Sequence, residues 1–273
     1  MKNLNKNLLT ISMASVALMV AASQSAFAHT RLTVPVSPES SAAHGTTTTA
    51  VNIPHGCGDN SVIGNVFFLP DTNSALVQTS ANNFETFEAA EGENALSYIV
   101  NPPFIRIIKS RDVFEHTEFI NDSLGNPLGF WAGGGELPAQ NWVGQLPINI
   151  TAVAIQPDSC ARKVVFVPAI ANICKITPMT EINSQDPDNP NVDFWTAPDV
   201  GSSYDSPSWS YPATYTVERD LANNPLPESC GDGLDVRIIP SAAQMDRDMP
   251  VKINGSQVWP GEGDGHTDHS HDE

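Results

Sequence analysis

No long stretch of this chain places apolar residues at helical spacing; short apolar or alternating runs, separated by turn residues, recur instead. They cover Arg31 to Val36, Thr46 to Ile53, Asn65 to Leu69, Leu96 to Val100, Phe104 to Ile108, Ile148 to Ile155, Lys163 to Val167 and Leu234 to Ile239. Alternation sends every second side chain to one face of an extended strand, so such a run can bury one face and wet the other. Prolines and glycines punctuate the runs, with Pro-marked turns at Val36-Ser37-Pro38 and Ile53-Pro54-His55-Gly56. The spacing predicts an all-β fold, an antiparallel β-sandwich or barrel. Residues 182–212, rich in Pro, Asp and Ser, read as a long loop. The end, from Gly261, carries Gly, Asp and His with no apolar residue and is expected to be disordered.

Residues 1–28 read as a secretory signal peptide. Lys2 and Lys6 supply the positive start, Leu8 to Ala22 the apolar run, and Ala26-Phe27-Ala28 an A-x-A cleavage site. The apolar run is too short and wrongly flanked for a membrane anchor, so the expected product is periplasmic or secreted, with no stable membrane insertion. Cleavage leaves 245 residues with 11 basic and 31 acidic side chains, a formal charge of −20. That balance argues against nucleic acid and anionic membranes as partners and favours attraction of cations. Four cysteines remain, at 57, 160, 174 and 230. An even number in an exported chain implies two disulfides, with three connectivities open. No close C-x-x-C pair points to zinc.

Cleavage after Ala28 makes His29 the first residue. Its α-amine and imidazole then lie within reach of one point, a bite that suits Cu(II) and its tetragonal nitrogen ligands. The plain alternative is that cleavage falls by chance before a histidine. Further ligands would be a second imidazole, a carboxylate or water. His44, His55 and His116 are the internal histidines, each read as a surface or turn residue ahead of a ligand; His55 directly precedes Gly56-Cys57, where a structural turn explains it. In the tail, His266, His269 and His271 stand among acids and form a candidate loose accessory metal site. No G-x-S-x-G, H-E-x-x-H or phosphate-loop motif occurs, and no catalytic residue is assigned.

Three segments stand out together. The first is Ala28-His29 followed by an extended segment and Pro38-Glu-Ser-Ser-Ala-Ala. The second is Ile53-Pro54-His55-Gly56-Cys57 leading into Val66-Phe67-Phe68-Leu69-Pro70. The third is Trp131-Ala-Gly-Gly-Gly-Glu-Leu-Pro, followed by Cys174 and Trp195. With them, residues 29–200 resemble the YcnI-like (DUF1775) family of exported copper-binding proteins. The resemblance implies an immunoglobulin-like β-sandwich over 29–255, followed by a tail over 256–273. It also implies one Cu(II) held by the amine and imidazole of His29 with a carboxylate, and a tryptophan close to the metal. Trp195 is placed there, with Trp131 and Trp142 as alternatives. The carboxylate is Glu39 or Glu136, because the family's second-strand glutamate is replaced by the run Thr46 to Thr49. The same resemblance pairs Cys57 with Cys174, leaving Cys160 with Cys230.

These readings describe a copper-binding protein without enzymatic activity, acting in storage, buffering or delivery to a copper importer or cuproenzyme. One alternative is a histidine-brace copper oxidase acting on polysaccharide, with His116 or His44 as second imidazole. Another is a structural or adhesive β-sandwich with no metal role.

Overall fold

Period-two alternation becomes strand almost throughout the computed structural model, which describes residues 29–86, 94–109 and 113–261. Three sheets form the body. The first has the order β1 (Arg31–Leu32), β3 (Thr46–Ile53), β9 (Gly144–Thr151), β6 (Ile105–Ile107). The second runs β2 (Val36–Pro38), β13 (Tyr215–Glu218), β10 (Ala161–Phe166), β14 (Leu234–Ile239), β5 (Leu76–Thr79). The third runs β12 (Val192–Trp195), β11 (Ala169–Ile173), β4 (Val62–Phe68), β8 (Pro127–Leu137), β7 (His116–Asn121). A hairpin, β15 (Val251–Ile253) and β16 (Ser256–Trp259), follows the short helix α1 (Ala242–Asp248). Asn254 and Gly255 turn that hairpin with φ of 51° and 82°, a turn that needs two left-handed residues. The expected all-β sandwich is present. Most pairings are antiparallel, but β10–β14 and β13–β2 are parallel.

The main core is shared by all three sheets: Leu32 and Val51, Val164 and Val236, and Phe67 and Phe130, whose rings lie 5.7 Å apart. In the third sheet, β4 and β11 are buried on both faces. Val66, Phe68 and Ile173 point away from the main core and pack with Met245, Met249 and Trp259 of the carboxy-terminal segment. Burial on both sides explains why all five residues of β11, Ala169–Ile173, are buried. Full burial of one such large side chain is worth roughly 1.5–3 kcal/mol.

Thr46–Ile53 and Leu234–Ile239 are strands with the limits read from sequence. Three expectations are corrected. Leu96–Val100 holds a 3-10 turn, Ala95–Ser97, because the Asn94 side chain accepts from the Leu96 N–H at 2.8 Å and favours a cap over extension. The supposed loop 182–212 contains β12, whose backbone pairs with β11. Ser256–Trp259, assigned to the tail, form β16, and Trp259 is fully buried. Both disulfides, Cys57–Cys174 and Cys160–Cys230, are formed as the resemblance implied.

Arg219 ties the end of β13 to neighbouring loops. Its guanidinium donates to the carbonyls of Pro157, Ser159, Ala161 and Pro225 and to the Asn224 side chain, and its Nε to the Asn224 carbonyl. The side chain is buried, so its loss strands acceptors away from water. Arg219→Met is expected to lower stability by about 3–5 kcal/mol, read as a lower urea midpoint with an unchanged slope. A change below about 1 kcal/mol would show that the acceptors are readily rehydrated.

Candidate metal centre

His29 stands just before β1, which pairs with β3 through Arg31↔Asn52 and Leu32↔Val51. Thr30 is fully buried, and its hydroxyl accepts from Asn172 Nδ2 at 2.7 Å. Asn172 lies on β11 and in turn accepts from Asn65 Nδ2 on β4 at 2.9 Å. A chain of buried amides therefore fixes the residue next to His29 onto the third sheet.

The His29 ring lies 4.8 Å from the Trp195 ring and 6.0 Å from that of Tyr211, and those two lie 6.0 Å from each other. Asp193, two residues before Trp195 on β12, faces the same side of the sheet and is the partner of Asn172 in register. Asp193, Trp195 and Tyr211 line one crevice of about 20 Å3. Asp193 Oδ2 is buried and makes no hydrogen bond; His55 Nδ1 lies 3.9 Å from it. The Cys57–Cys174 disulfide holds the segment carrying His55 against the end of β11, and the Cys57 N–H points at Cys174 Sγ at 3.1 Å. Closing so long a loop is worth about 4–5 kcal/mol.

Burial lowers the affinity of the His29 imidazole for a proton, and the charges of Arg31 and His55 act the same way. These effects favour the neutral ring, the form that donates a lone pair to a metal. Burial pushes the Asp193 carboxyl up to about 7; His55 opposes the shift and Asp188 adds to it. A cation beside Asp193 would favour its ionised form.

Trp195 is the tryptophan beside His29. Trp131 lies on β8 and Trp142 is exposed between β8 and β9. Neither expected carboxylate lines the crevice. Glu39 accepts from the backbone N–H groups of Ile155 and Asp220, both at 2.7 Å, and from Asn224 Nδ2, so its oxygens brace loops instead. Glu136 is exposed on β8. His44 borders a separate cleft with Arg106, and His116 sits on the edge strand β7. His266, His269 and His271 lie outside the described residues. The group that sequence reasoning missed is Asp193, inside Asp193-Phe-Trp195; an acid two residues from a tryptophan shares its side only if the segment is a strand.

Among the described residues, no three His, Cys, Asp or Glu side chains form a metal-holding group. A chelate at a free amino terminus needs fewer, because one histidine supplies two nitrogens. Comparison with protein-family models, with curated proteins and with solved structures gives no match to this chain.

The folded Asp193 carboxyl keeps its proton up to about pH 7, whereas an unfolded aspartate loses it near 3.8. Its contribution to stability is therefore full at acid pH and is lost as pH rises from about 4 to 7. Asp193→Asn removes this loss. In metal-free protein it is expected to add roughly 2–4 kcal/mol above pH 7.5 and little near pH 4, measured by urea unfolding at both values. An equal change at the two pH values would show that burial does not hold the proton.

Proposed function

We propose that this protein handles copper as cargo outside the cytoplasm: His29, freed by cleavage after Ala28, holds one Cu(II) through its amine and imidazole. Asp193 supplies the carboxylate, in place of Glu39 or Glu136, and the Trp195 indole covers the ion. The observation that carries this reading is the His29 ring at 4.8 Å from that of Trp195, with Asp193 Oδ2, buried and without a hydrogen bond, two residues from Trp195 on the same strand. The resemblance to YcnI-like proteins supports it. So does the excess of acid over base, which draws cations toward the surface. Storage, buffering or hand-over to an importer or cuproenzyme all fit a site that binds without reacting. An oxidase needs open coordination positions, and Trp195 and Tyr211 crowd the imidazole instead. Residues 266–271 would collect copper loosely ahead of the tighter site.

Copper titration followed by EPR tests this on two proteins, one beginning at His29 and one retaining Ala28. The expected result is one tightly bound Cu(II) with nitrogen coupling in the first protein only, with affinity falling as pH drops because binding releases the amine proton. Asp193→Asn in the first protein is expected to weaken binding about 10–100-fold. Equal, weak binding by both proteins would leave only the tail as a metal site and move a structural role to first place.

A further inference from the structure

The carboxy-terminal hairpin covers only part of the outer face of the third sheet. Beyond Val66 and Trp131 that face continues over Gly64 and Gly133, which are partners in register. Here it opens into a trough of about 660 Å3, walled by Ile173, Ile176, Val251 and Val258 and by the tryptophans Trp131 and Trp259. It shares no lining residue with the crevice beside His29 and lies on the opposite face of the sheet.

Glycine inside a strand costs conformational entropy and leaves nothing to pack, so it needs a reason. Gly129 and Gly135 have one: a β-carbon there would come within 2.1 Å of the Phe67 and Val113 carbonyl oxygens. At Gly133 no such crowding exists. A β-carbon would meet only the Ile63 carbonyl oxygen, at 3.4 Å, and the backbone is not left-handed. Gly133 instead keeps the floor of the trough bare, as close approach by a flat group requires.

The trough has a polar end. Glu118 is the register partner of Trp131, so a carboxylate stands beside an indole on the same face. Glu115 and Lys109 also line the trough, and His116, the register partner of Gly133, stands beside its floor. Two carboxylates against one lysine, next to an aromatic ring, make a place for a cation. We infer that the trough binds a small flat apolar molecule bearing a cationic nitrogen, its ring over Gly133 and its charge between Trp131 and Glu118. An apolar slot of this size with a few polar groups at one end is the usual form of a small-molecule site.

Calorimetric titration of the metal-free, full protein with tryptamine, indole and indole-3-acetate tests this. All three carry one ring system and differ in charge. Tryptamine is expected to bind roughly tenfold more tightly than the other two, and Glu118→Gln to erase that margin. Gly133→Val is expected to abolish binding while melting no lower than the wild type, because a β-branched residue favours a strand. Should that variant melt early, Ile176→Trp, at an exposed wall position, blocks the trough in its place. Absence of saturable tryptamine binding, equal affinity for the three probes, or unchanged binding in the blocked variants would overturn the inference. So would tryptamine affinity that strengthens on dilution of the protein, which would make a second copy of the chain the occupant.

Discussion

The hydrogen bond from Asn172 to the Thr30 hydroxyl is the contact on which the arrangement around His29 depends. It is buried, it joins residues far apart in sequence, and Asn65 supports it from the next strand. The next residues are held by the two register pairs of β1 and by hydrogen bonds of Thr33 and Val34 to β3, but those contacts begin beyond Thr30. Chain ends fray unless tied down. Here the tie is polar and directional, so it fixes the backbone from which His29 extends, and the imidazole packs beside the Trp195 and Tyr211 rings.

The same region shows how a sheet can assemble groups from distant parts of the chain. His29 arrives just ahead of β1, His55 on the segment held by Cys57–Cys174, and Asp193 and Trp195 on β12. The disulfide and the register of β11 with β12 are separate constraints, and both must hold for His55 and Asp193 to face each other. Glu39 illustrates the opposite use of a carboxylate. It accepts two backbone N–H groups and the Asn224 amide, and Asn224 in turn accepts from Arg219. Its charge is absorbed by structure, whereas the charge of Asp193 is held back by burial and left without a hydrogen bond at Oδ2.

Much of the sandwich was legible because Thr46–Ile53 and Leu234–Ile239 carry alternation strong enough to set their own limits. The strands that escaped are those whose pattern is masked. Ala169–Ile173 is apolar except for Asn172 and shows no alternation, and Val192–Trp195 is four residues set among prolines and aspartates. The loss of β12 cost the site its carboxylate, since Asp193 faces with Trp195 only in an extended backbone. Trp195, named from the resemblance, has its ring 4.8 Å from that of His29. The roles of Glu39 and Arg219 depend on backbone groups brought together by folding, and no local pattern in a sequence encodes those.

The second sheet has a consequence for how the chain reaches its native state. Its order interleaves β2, near the beginning, with β13, β10 and β14, and the two parallel pairings join segments that no tight turn can connect. The strands up to Thr79 therefore wait for residues as far along as Ile239 before their edges are covered. Long-range pairing of this kind is slow, and in the interval apolar strands and open edges are exposed to other chains. The formal charge of −18 works during that wait: like-charged, half-folded chains repel one another. Acidity in this protein then serves the journey to the fold as much as the chemistry of its surface.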